Sequence, residues 1–178
     1  MLPAPRRIGR FNLRGAWANY VKEVHRFFKV GFQTLVAPVI TTLLFLAVFS
    51  LALGRAVTEI NGVPFTQFLA PGLIMFAVIQ NAFANTSSSM MISKIQGNIV
   101  DVLMSPLSPG ELTAGFVLGG ATRGVLVGLV VGLAMSVFVP VVVVDFGMVM
   151  LHAVAGSLML SSLGLITAIW AEKFDHVA

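Results

Sequence analysis

No cysteine occurs among these 178 residues. Its absence excludes a disulfide framework, a thiol nucleophile and any cysteine-based metal site. Charge is nearly as scarce. Only 10% of residues are Asp, Glu, Lys or Arg, whereas a soluble domain carries roughly 25%. With 57% hydrophobic residues, too little polar surface remains to cover a water-soluble core of this size. The seven acids all fall outside the apolar runs or at their ends. A proton- or sodium-coupled carrier needs an acid within a span as its ion site, so this counts against one. No HExxH is present, and Asp175-His176 supplies two adjacent ligands that make no metal site. Gly110 and Gly115 have P-loop spacing, but Phe116 stands where the lysine belongs, so the chain carries no ATP site of that type. His152 is far from acids, and Ser157, Ser161 and Ser162 have no base at useful spacing, which a membrane hydrolase would require.

What the chain does have is four long uncharged runs: Val30–Gly54, Ile60–Ser93, Leu112–Val144 (broken only by Arg123) and Phe146–Ala171. About 20 apolar residues cross the hydrocarbon core as a helix. The reading is therefore an all-α polytopic membrane protein with spans at about 32–53, 65–93, 109–138 and 146–170. Arg6, Arg7, Arg10, Arg14, Lys22, Arg26 and Lys29 precede the first span, with Glu23 their only acidic companion. Positive residues stay inside, so residues 1–31 are expected in the cytoplasm; Arg55, on the outer side, opposes this weakly. An adjacent span explains the basic arm, and no nucleic-acid partner is needed. The first apolar run starts too late and runs too long for a cleavable signal peptide.

Within the arm, Trp17, Tyr20, Val21, Val24 and Phe28 recur at helical spacing, opposite Lys22, Arg26 and Lys29. That pattern over Asn12–Lys29 predicts an amphipathic helix lying in the inner headgroup region. Pro38 falls in the first turns of span one, and Asn61-Gly62 marks a turn before span two. The cytoplasmic connection 94–111 contains a short helix, with Ile95, Ile99, Val102 and Leu103 on one face and Lys94, Gln96, Asn98 and Asp101 on the other. Pro106 and Pro109 end it. Ser108 and Glu111 then form a capping box with Pro109 at the first helical position, which fixes the start of span three. Valines 141–144 fit either the following turn or the start of span four. Residues 171–178 are expected back in the cytoplasm.

Three constellations stand out. Gly120, Gly124, Gly128 and Gly132 form a four-residue ladder suited to close helix packing, within this chain or against another. Arg123 lies roughly 20 Å along the helix from Pro109, which places it near the bilayer centre. An arginine there costs at least ~2.5–3.5 kcal/mol, so it either lines a polar route or clamps the bundle. Asn81, Asn85, Ser88 and Ser89 make a polar stripe on span two that either bonds a neighbouring helix or lines a channel.

Several segments together resemble one family: Gln33–Ile40, Phe68–Met75 with its Pro-Gly-Leu-Ile-Met start, Asn98–Ser108 with Glu111, and beyond them Gly115 and Arg123. They resemble the permease subunits of ABC-2-type exporters, in the bacterial inner-membrane branch, over essentially the whole chain. Such permeases have about six spans, so four imply a C-terminally truncated or partial chain. The resemblance implies a multi-pass inner-membrane subunit, paired as a homodimer in the lipid bilayer. A separate ABC ATPase subunit would carry the ATP and magnesium, this chain binding no cofactor. The ATPase contact would fall on the N-terminal helix and the 94–111 loop, with Ile99, Asp101, Leu103, Pro106, Ser108 and Glu111 as coupling residues. A hydrophobic, lipid-linked or polysaccharide-type substrate would move outward past the spans. The competing readings are a membrane-embedded lipid-modifying enzyme and a passive channel or carrier.

Overall fold

A computed structural model describes residues 11–29 and 31–173. Arg6, Arg7, Arg10, Asp175 and His176 lie outside the described residues. The order is α1 (Leu13–Lys29), α2 (Gly31–Leu53), β1 (Glu59–Ile60), β2 (Val63–Pro64), α3 (Phe65–Ile95), α4 (Ile99–Leu103), α5 (Pro109–Ser136) and α6 (Phe146–Trp170). Among the described residues four helices, α2, α3, α5 and α6, are long and apolar enough to cross a bilayer. The fold is an all-α polytopic bundle.

Local chemistry sets the helix boundaries. Asn61 (φ 51°) and Gly62 (φ 79°) turn the chain between the two short strands, the paired left-handed geometry that favours Asn-Gly in a tight hairpin. Gly97 (φ 75°) breaks α3 from α4, and its N–H returns to the Lys94 carbonyl at 3.1 Å. At α5, Ser108 Oγ accepts from the Glu111 N–H while the Glu111 carboxylate accepts from the Ser108 N–H, so the expected capping box is formed. Valines 141–144 belong to the connection; α6 begins only at Phe146, with Asp145 capping the Met148 N–H at 3.0 Å.

Packing centres on α3, which lies against both α5 and α6. Three apolar cores run along the bundle: Met90, Met91, Phe116, Leu165 and Ala168 at the α4 end, Ala77, Val127 and Val131 in the middle, and Leu46, Ala70, Leu73 and Met135 at the hairpin end. Three of the four ladder glycines are spent inside this chain. A Cβ at Gly120 would collide with Thr86 and Ser161, one at Gly124 with the Val78 carbonyl, and one at Gly128 with the Val78 side chain. Gly132 has only Ile74 Cδ1 nearby, at 3.8 Å. α2 is the least covered span and buries only Thr34, Thr42 and Leu46.

The N-terminal helix packs a polar stripe inside this chain. The residues that α1 buries are Asn19, Glu23 and Phe27, while Trp17 and Phe28 are exposed. α1 runs along the first turns of α5. Gly115 and Gly119 open the space: a Cβ at Gly115 would strike the Asn19 side chain, and one at Gly119 would sit 2.6 Å from Glu23 Cβ. A wheel that counts apolar residues finds the aromatic face; it cannot find a polar stripe matched to two glycines far away in sequence.

Candidate functional site

The first part of the site is the corner formed by α4 and the start of α5. Ile99 and Val102 pack onto the Met91–Phe116 core. Asp101 is exposed, as are Ile95, Val100, Leu103 and Met104, the last two by 66% and 80%. The apolar face expected for this segment is therefore divided. Ile95 belongs to α3, across the break at Gly97, and Leu103 closes α4 with no neighbouring helix over it. The corner is held firmly from behind. Asn12 Nδ2 donates to the Pro106 carbonyl at 3.0 Å, and the Asn12 N–H donates to the same Glu111 carboxylate that caps α5. Ser105 Oγ closes the turn on the Val102 carbonyl at 2.6 Å. On the α6 side, Lys94 Nζ donates to the carbonyls of Ala168 (2.7 Å), Ile169 (2.6 Å) and Ala171 (2.9 Å), a cation at a helix C-terminus. Thus α1, α3, α4, α5 and α6 meet at one rigid end.

The second part is a polar cluster deeper in the bundle. Glu23 is fully buried. Its carboxylate accepts from Ser89 Oγ at 2.7 Å and Arg26 Nε at 3.3 Å, and lies 3.2 Å from Lys22 Nζ. Arg26 Nη2 then donates to the Asn85 carbonyl (2.8 Å) and to Asn85 Oδ1 (3.0 Å). Arg123 reaches the same Asn85 Oδ1 at 3.5 Å and Asn81 Oδ1 at 3.3 Å, while Asn81 Nδ2 is tied to the Ala77 carbonyl. Ser88 Oγ bonds the Asn85 carbonyl at 3.2 Å. The asparagine stripe and Arg123 are therefore joined in one network with α1. Reading the sequence alone missed Glu23 and Arg26 as members, and Asn19, which ties α1 to the Leu112 carbonyl of α5 at 3.2 Å. The available signal was the spacing of Asn19, Glu23 and Arg26, four and three residues apart, on an otherwise basic helix.

The level of Arg123 can be read against α2. Arg123 and Arg26 share Asn85 Oδ1, and Arg26 lies only five residues before Gly31, where α2 begins. Relative to α2, Arg123 therefore stands near the first turn. α3 and α5 extend beyond α2 at this end. Ten residues of α3 follow Asn85, about 15 Å of helix.

Ser157, Ser161 and Ser162 donate to the carbonyls of Ala153, Val117 and Leu158, and Ser161 also pairs with Thr86. His152 Nδ1 sits 2.8 Å from the Met148 carbonyl. These groups satisfy helices and pack them. Among the described residues no cluster of His, Asp or Glu could hold a metal ion.

Four apolar crossing helices, with a braced corner at one end, define a helical multi-pass membrane protein. Residues 14–178 match the ABC-2 type transporter family. The chain belongs to that family. It is also 39% identical over 166 residues to the inner membrane transport permease YadH of Escherichia coli strain K12, and equally to YadH of Shigella flexneri. Those alignments cover 93% of this chain and 64% of each relative, so the chain spans less than two-thirds of the length of the curated relatives it matches. No solved structure matches.

Proposed function

We propose that this chain acts as the membrane-spanning permease subunit of an ABC exporter, driven by ATP hydrolysed on a separate ATPase subunit. The observation that carries this reading is the α4 corner. It presents Val100, Leu103 and Met104 bare beside Asp101, yet is tied through Asn12, Pro106 and Glu111 to α1 and α5. This chain's own core leaves the tip uncovered, which suits it to docking another protein. Because α4 is fixed to α5, displacement of the tip moves the span as a rigid body. In this reading the α4 end and residues 1–31 lie in the cytoplasm, in keeping with the basic residues around α1. The protein sits in the inner membrane and works as a homodimer. ATP and magnesium belong to the partner, and a hydrophobic, lipid-linked or polysaccharide-type substrate leaves the cytoplasm.

Leu103→Arg and Asp101→Arg in the full-length protein test the assignment. Membrane insertion should be unchanged, while a co-expressed ABC ATPase should no longer co-purify or couple its hydrolysis to export. Unchanged co-purification and export with both variants would remove α4 from this role.

A further inference from the structure

An open cleft of about 730 Å³ lies between α2 and α3. Arg26 and Arg123 line its α4 end together with Gln33, Gln80 and Ser88, and among the described residues no carboxylate lines it. Farther along, Pro38, Phe45 and Phe76 make its walls apolar. Glu23, the acid of the neighbouring network, is engaged by Ser89, Arg26 and Lys22, bonds nothing of Arg123 and does not line the cleft. Arg123 meets only the neutral oxygens of Asn81 and Asn85, and its Nε is buried with no acceptor among the described residues. A guanidinium in this setting lacks a counter-charge, and breaking up water around it is costly. Arginine's planar fork matches phosphate oxygens, and basic pockets between membrane helices suit anionic headgroups.

From this geometry we infer that the α2–α3 cleft is a binding site for a phosphate-bearing amphiphile. Its phosphate lies between Arg26 and Arg123, and its apolar tail runs past Pro38 toward Phe45 and Phe76. The dimensions agree. From Gln33 to Phe45 the α2 wall rises about 18 Å, close to the roughly 15 Å depth of one leaflet's hydrocarbon. The polar end of the cleft coincides with the start of α2, where a headgroup belongs. Access from the bilayer lies along α2, the least covered span.

Binding can be measured without an ATPase or transport, so this site and the permease reading can fail separately. The full-length protein in neutral-detergent micelles is titrated with dioctanoyl phosphatidic acid, dioctanoylglycerol and inorganic phosphate, and bound ligand is counted by native mass spectrometry. Phosphatidic acid should bind saturably and dioctanoylglycerol at least tenfold more weakly. Arg123→Gln should weaken phosphatidic acid about tenfold or more, and Arg123→Lys should restore part of the loss. Gln80→Glu keeps the shape but adds an internal carboxylate, so it should weaken binding similarly even if Arg123→Gln fails to fold. Arg55→Gln, outside the cleft, should bind as the unmodified protein does. Inorganic phosphate binding as tightly as the lipid would keep the anion site and assign it to free phosphate; weak phosphate binding assigns it to a lipid. Equal binding of phosphatidic acid and dioctanoylglycerol, or full affinity in Gln80→Glu, would overturn the site.

Discussion

Replacing Gly124 by alanine probes the α3–α5 contact where, among the ladder glycines, the α3 main chain comes nearest. The added Cβ would lie 2.7 Å from the Val78 carbonyl oxygen, 2.9 Å from Ala82 Cβ and 3.0 Å from Ser157 Oγ. Ordinary contact begins near 3.4 Å, so the two helices must move apart by several tenths of an ångström. The first obstacle is main chain and cannot rotate aside. Overpacking of this kind costs about 1–3 kcal/mol, offset by about 0.8–1.0 kcal/mol of helix propensity. Gly132→Ala is the matched control, because its Cβ would meet only Ile74 Cδ1, at 3.8 Å. It gains the same propensity without the clash. The propensity contribution cancels between the two, leaving Gly124→Ala less stable than Gly132→Ala by about 1–3 kcal/mol. Reversible unfolding in mixed micelles, followed by helical signal during detergent titration, measures that difference. Equal stability of the two variants, or greater damage from Gly132→Ala, would refute the reasoning and move the ladder's partner to a second molecule.

Three further outcomes follow from the hydrogen bonds. Glu23→Gln removes the charge that Ser89 and Arg26 hold, and should cost about 1–3 kcal/mol while exposing Lys22 and Arg26 in α1 to faster tryptic cleavage; unchanged cleavage would show that α1 is held by other contacts. Lys94→Met leaves the last carbonyls of α6 without their cation, so stability should fall by about 1–2 kcal/mol, with faster amide exchange confined to the final turn of α6. Glu111→Ala removes the shared cap of α5 and Asn12, lowering the melting temperature while ATPase docking survives; normal stability with lost docking would make Glu111 a contact residue.

Features set by neighbours in sequence were legible from the chain alone. The capping box at Ser108–Glu111 needs four residues, and the helix lengths follow from runs of apolar residues whose polar main chain must be satisfied within the bilayer. The Asn61-Gly62 turn is equally local. Features set by register between distant helices were not. Four glycines spaced alike look equivalent, yet Val78, Thr86 and Ser161 crowd three of them and leave Gly132 free of close neighbours. Arg123 was placed by counting along its own helix, whereas its level relative to α2 depends on a bond between Arg26 and Asn85. Glu23 resembled one acid in a solvated basic arm until Gly119 gave it a place to be buried.

The pairing of α1 with α5 also constrains how the protein is made. Asn12 and its partner Glu111 are 99 residues apart. At about 5–20 residues per second, some 5–20 s pass between synthesis of the first helix and arrival of the surface that receives it. During that interval its basic and aromatic faces can rest at the membrane interface, the behaviour its sequence advertises. The buried stripe of Asn19 and Glu23 serves the later moment, when Gly115 and Gly119 emerge. One helix thus carries two addresses, a provisional one for the nascent chain and a final one for the assembled bundle.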